Sequence, residues 1–115
     1  KMICTNPDLV VDKGKTQEYC AGTIAEVFKK IGGKVVYFGK PHKEIYNSIF
    51  EEKDKVLIIG DNLRTDIKGA NIIKQESLFI LNGVHKNEIE SLDSINSVLK
   101  KYNVKTNFTQ KQLIW

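Results

Sequence analysis

One stretch constrains this chain more than any other: Val56-Leu57-Ile58-Ile59-Gly60-Asp61-Asn62-Leu63-Arg64-Thr65-Asp66-Ile67. Four consecutive apolar residues predict a strand buried on both faces. Gly60 ends it, and an acidic, polar turn follows. Thr65 and Asp66 bring a hydroxyl and a carboxylate to the unpaired first N–H groups of a helix expected from Ile67 to about Lys74. Asp61 and Asp66 therefore stand at the carboxyl end of a strand, the edge at which open α/β sheets bind ligands. Paired carboxylates at such an edge suit a hard cation, Mg²⁺ foremost, beside a phosphate.

The flanking sequence repeats the strand-then-helix rhythm. Met2 to Thr5 is a short apolar run that reads as the end of a strand, and Asn6-Pro7-Asp8 is a turn. Leu9 to Val11 is a short extended piece and Asp12 to Lys15 a polar loop. Thr16 is expected to cap a helix reaching Ile31, with Cys20, Ile24, Val27, Phe28 and Ile31 on one apolar face. Gly32-Gly33 stops it. Val35 to Phe38 is the next buried strand, ending at Gly39-Lys40-Pro41. Pro41 suits the first turn of a helix burying Ile45, Ile49 and Phe50. Leu78 to Leu81 is a third buried strand, closed by Asn82-Gly83. A helix lies within His85 to Tyr102, and a polar tail follows, with Leu113-Ile114-Trp115 docking as a last short strand. Alternating strands and helices predict an α/β fold, a parallel sheet with helices on both faces. Right-handed crossovers then bring Gly39-Lys40, Gly60-Asp61 and Asn82-Gly83 to one edge.

Composition narrows the function. At 115 residues and 41% hydrophobic, one compact domain is expected. The net charge is +4, yet 17 of the 18 basic residues are scattered lysines and only Arg64 is arginine. A nucleic-acid face would cluster Arg and Lys with aromatics between them, so no nucleic-acid partner is expected. No apolar run approaches the roughly 18 residues of a membrane span. Two cysteines, Cys4 and Cys20, have neither zinc nor redox spacing, read as packing residues and fit a reducing cytoplasm. Gly14-Lys15-Thr16 resembles the end of a phosphate-binding loop, but Leu9 stands where that motif needs its first glycine. His42 reads as a solvent-facing first-turn residue, and His85 as a loop histidine without a role.

Two acids and one lysine at neighbouring strand ends suit phosphate chemistry, because a divalent cation and an ammonium together neutralise a phosphoryl group. Gly60-Asp61-Asn62-Leu63-Arg64-Thr65-Asp66-Ile67 resembles the fourth motif of the haloacid-dehalogenase (HAD) superfamily in its NagD-like subfamily IIA. Gly39-Lys40-Pro41 resembles that subfamily's lysine motif. Thr5-Asn6-Pro7-Asp8 resembles the segment where its cap returns to the core, and Asn82-Gly83-Val84 its last glycine loop. The four occur in the family's order, over residues 2 to about 90.

The resemblance implies a partial HAD-like Rossmannoid core over residues 1–115, with 1–8 the end of the cap. It implies an Mg²⁺-dependent phosphohydrolase acting on a small phosphorylated substrate through an aspartyl-phosphate. Asp61 would ligate Mg²⁺, and Asp66 would fix the loop and a metal-bound water. Lys40 would pair with the nucleophilic carboxylate and the substrate phosphate. Asn62 and Thr65 would shape the loop, and Asn6 and Asp8 would lie near the substrate entrance. No Asp-x-Asp pair occurs in this chain, so the nucleophile is expected elsewhere and the chain alone is expected to be inactive. It would then recruit a missing N-terminal half or self-associate through an apolar strand edge. Two other classes compete: a non-catalytic binding or assembly module, and a receiver-like signalling domain. The receiver order is reversed here, because the acids follow the lysine.

Overall fold

The computed structural model describes residues 1–13, 16–51 and 53–114, and only the backbone of Asp12, Lys13 and Gln17. Gly14, Lys15, Glu52 and Trp115 lie outside the described residues, and with them the second half of the expected polar loop and the expected docking of Trp115. Its contacts group the chain into two compact units, Lys1–Ile49 and Phe50–Trp115.

In the first unit, β1 (Met2–Cys4) and β4 (Val35–Tyr37) pair in parallel, Cys4 opposite Tyr37. Between them in sequence lie a hairpin and a helix. β2 (Val10–Lys13) and β3 (Thr16–Tyr19) pair antiparallel, so Thr16 starts a strand rather than capping a helix. Thr and Tyr favour that extended ladder. Helix α1 is consequently shorter, Ala21–Lys30, and ends at Gly32 with φ +88°, a conformation that suits glycine. It buries Gly22 and Ala25, while Ile24, Val27 and Ile31 of the expected core stripe are exposed. Helix α2 (Lys43–Asn47) buries Tyr46, not Ile49.

In the second unit, β5 (Leu57–Gly60), β6 (Glu76–Ile80) and β7 (Phe108–Gln110) form a parallel sheet in that order. The α/β class is as the sequence pattern predicts. Leu57 and Ile59, which share one face of the edge strand β5, are 44% and 41% exposed, so the strand is not buried on both faces. The last strand comes from the polar tail, not from Leu113-Ile114, which are exposed. Side chains secure its entry: the Ser77 N–H donates to Asn107 Oδ1 at 3.0 Å, and Asn71 brackets the Lys105 backbone with bonds of 2.7 and 2.8 Å.

Helix α3 (Lys68–Ile72) follows a π-helical turn, Leu63–Ile67, and α4 covers Ile95–Tyr102. Between β6 and α4 the chain makes short 3₁₀ turns at Lys86–Glu88 and Leu92–Ser94, so the last helix is shorter than its sequence span suggests. Asn103 closes α4 in the left-handed region, φ 53°. Leu63, Ile67, Phe79, Val98 and Val104 form the core, so the acidic turn contributes two of its five buried residues. Among the described residues, no helix is long and apolar enough to cross a membrane.

Candidate active site

The acidic turn is built by Asn62. Its side-chain Oδ1 accepts the Arg64 N–H at 2.9 Å, capping the helix three residues before Thr65 and four before Asp66. Its carbonyl accepts the Asp66 N–H at 2.9 Å and the Ile67 N–H at 3.2 Å, and the second of these widens the turn into a π-helix. Asp66 answers through its carboxylate, whose Oδ2 accepts the Asn62 N–H at 3.2 Å. Asp66 is 6% exposed and faces Gly60 so closely that a Cβ there would fall on its side chain.

Asp61 is half-buried and is held from the next loop, where the Val84 N–H donates to its Oδ2 at 3.0 Å. A Cβ at Gly83 would fall on the same carboxylate. The loops after β5 and β6 thus meet at one edge, as parallel topology requires, and two glycines provide the space for two carboxylates.

The other expected residues lie in the first unit. A Cβ at Gly39 would strike the Thr5 carbonyl and Pro7, so the Gly39-Lys40 bend abuts the Asn6-Pro7-Asp8 turn. Asn6 Oδ1 accepts the Asp8 N–H at 3.1 Å, and the Cys4 thiol donates to the Asn6 carbonyl at 3.2 Å. Lys40 and Asn6, both exposed, are therefore brought to one end of the β1–β4 pair. Nearby, His42 stacks on Tyr37 with ring centroids 4.9 Å apart rather than pointing idly into solvent. The Tyr37 hydroxyl donates to Glu26 Oε1 at 2.7 Å, which pushes its pKa up to about 12.

Sequence reasoning missed a cluster beside the acidic turn. His85 is not an idle loop residue: it is 2% exposed and packs edge-on against Tyr102. Its Nδ1 lies 2.7 Å from Glu88 Oε1. Tyr102 donates to the same oxygen at 2.8 Å, and Lys101 to Oε2 at 2.6 Å. Bonds from Lys101, His85 and Tyr102 lower the Glu88 pKa from the ordinary 4.5 to about 2. A depressed carboxylate pKa means stability that is complete above about pH 4.5 and is lost as pH falls toward 2. Glu88→Gln is expected to flatten the acid limb of stability over that window, which urea midpoints between pH 6 and pH 2.5 would reveal; unchanged pH dependence would contradict the assignment. The available signal was Glu88 three residues beyond His85, a helical-turn spacing.

Hard carboxylate oxygens at this edge are the right kind of donor for a cation such as Mg²⁺. They are too few to complete its sphere, because no group of three or more His, Cys, Asp or Glu gathers among the described residues. One oxygen of each is committed to a backbone N–H, and Asp66 is the more deeply buried. Asp61 is thus the better placed to reach a ligand, with Asp66 fixing the turn.

A family model described as HAD-hydrolase-like matches residues 37–106, which include Lys40, Asp61, Asn62 and Asp66 but not Asn6. The chain belongs to the HAD-hydrolase-like family. The HAD relatives include ribonucleotide monophosphatase NagD of Escherichia coli (strain K12), 34% identical over 103 residues, an alignment covering 85% of this chain and 38% of that protein. Among solved structures, a HAD-like hydrolase from Brucella suis is 28% identical with a TM-score of 0.69, over 97% of this chain and 44% of that one. A glycerol phosphate phosphatase from Mycobacterium tuberculosis, solved in complex with calcium, is 27% identical with a TM-score of 0.61, over 71% and 25%. This HAD chain therefore spans well under half the length of the relatives it matches.

Proposed function

We propose that this chain supplies the lysine and acidic-loop parts of an Mg²⁺-dependent HAD phosphohydrolase acting on a small phosphorylated substrate. The observation that carries the reading is the tethering of Asp61 at the end of β5, held by the Val84 N–H across a glycine gap. The calcium in the glycerol phosphate phosphatase supports a hard divalent cation in this family. When bound, Mg²⁺ would supply charge neutralisation for the phosphoryl group. Asp61 would be its ligand from this chain, and Asp66 would keep the turn in register through Asn62.

The exposed Lys40 ammonium would balance the phosphate and the attacking carboxylate. Asn6, beside Lys40 in the first unit, would contact the substrate at its entrance, and Asn62 would keep the loop open to it. The attacking carboxylate belongs to an Asp-x-Asp segment outside this chain. It would displace the alcohol from phosphorus, giving an aspartyl-phosphate that water then hydrolyses to inorganic phosphate. In this reading residues 1–8 are the end of the cap, where it returns to the core. The residues from there onward are the C-terminal part of the core. The partner is the polypeptide carrying the nucleophile, or failing that a second copy. The setting is cytoplasmic, with Cys4 and Cys20 as reduced thiols.

The reading predicts no Mg²⁺-dependent turnover of p-nitrophenyl phosphate by the chain alone, and its appearance on adding a polypeptide that carries the Asp-x-Asp segment of a NagD-like relative. Robust turnover by the pure chain, abolished by Asp61→Asn, would show that the attacking group lies within it.

A further inference from the structure

Asp61 lies in a closed circuit of contacts. One side runs from Asp61 through the Val84 N–H to His85, whose Nδ1 meets Glu88. An ionised carboxylate only accepts, so Nδ1 carries the proton. His85 Nε2 is buried without a hydrogen-bond partner, which leaves Glu88 as the imidazole's one hydrogen-bond partner among the described residues. The other side runs from Glu88 to the Tyr102 hydroxyl, which accepts from Arg64 Nη2 at 3.4 Å, while the guanidinium lies 5.2 Å from the Tyr102 ring centroid. Arg64 returns to Asp61 through the acidic turn itself, its N–H capped by Asn62.

We propose that Glu88 is a positioning residue for Asp61, gathering the loop after β6 and the acidic turn so that the Val84 N–H stays on the Asp61 carboxylate. Glu88 touches neither Asp61 nor the substrate edge. It acts through His85, next to Val84 in the chain, and through Tyr102, beneath Arg64. Lys101 helps by holding Oε2, which leaves Oε1 to serve both His85 and Tyr102. Only a carboxylate can accept from all three donors, since an amide in its place would turn an N–H₂ group toward at least one of them. The functional meaning of a fixed Asp61 rests on the proposed phosphohydrolase reading, but the positioning itself is measurable with no cation present.

The test is amide exchange and ¹H shift in the ¹⁵N-labelled chain, comparing wild type with Glu88→Gln and Tyr102→Phe in metal-free buffer. Glu88→Gln is expected to speed Val84 exchange about tenfold and move its amide proton upfield, the signature of a weakened hydrogen bond. Leu81, bonded to the Gln110 carbonyl in the sheet, should stay within about twofold. Tyr102→Phe keeps the ring, removes only the bridging hydroxyl, and should speed Val84 about threefold. That variant decides the matter should Glu88→Gln fail to fold. Unchanged Val84 behaviour in the folded variants, or equal loss of protection at Leu81, would overturn the proposal. A wild-type chain that takes up no divalent cation would instead overturn the phosphohydrolase reading and leave the Val84 result standing.

Discussion

Asp61→Asn should cut phosphatase activity roughly 10²–10³-fold once the chain is combined with a polypeptide carrying the attacking carboxylate. The substitution keeps the size of the side chain and an oxygen for the Val84 N–H, so the loop should hold its shape. What disappears is the negative charge at the exposed side of the carboxylate. Asp66→Asn is the informative comparison. Its buried oxygen serves the Asn62 N–H, a bond that an amide carbonyl can still accept, so the loss should be nearer tenfold. Initial rates across an Mg²⁺ series check both, and equal losses would mean that the two carboxylates are not divided between ligand and loop.

Gly83→Ala should be strongly damaging for so conservative a change. The added methyl would fall on the Asp61 carboxylate, so either the loop after β6 retreats or Asp61 swings off Val84. Overpacking of this kind costs about 1–3 kcal/mol of stability. Activity of the combined halves should fall toward the Asp61→Asn level, because the tether is lost even though the carboxylate remains. Urea unfolding followed by the same rate assay would test this. A variant with unaltered midpoint and rate would show that the glycine gap does not set the position of Asp61.

Much of this was legible in the sequence where several signals agreed. An apolar run, a terminating glycine and clustered acids located the loop after β5. Asn82-Gly83 located the loop that meets it, because parallel topology leaves little choice of edge. The details that escaped share a cause: they depend on partners distant in sequence. Thr16 to Tyr19 alternates poorly, and only its pairing with Val10 to Lys13 makes it a strand. Phe108 to Gln110 has no apolar run to mark it as a strand, and its attachment relies on Ser77 and Asn71, some thirty residues earlier. The helix cap fell on Asn62 because its side chain reaches Arg64, a competition that residue type alone does not decide. Ile24, Val27 and Ile31 keep the period of a buried stripe but are exposed in this chain. His85 had no periodic neighbours to betray its burial, and its role emerges only with Glu88 and Tyr102 in place.

The central claim is that the acidic turn holds a divalent cation through Asp61. Substoichiometric Mn²⁺ added to the ¹⁵N-labelled chain tests it most directly, since paramagnetic broadening registers even weak occupancy. Selective loss of the Asp61 to Asp66 and Gly83–Val84 resonances, restored by excess Mg²⁺ and absent in Asp61→Asn, is the predicted result. Uniform broadening, or broadening centred on carboxylates elsewhere such as Glu51 and Asp54, would contradict it.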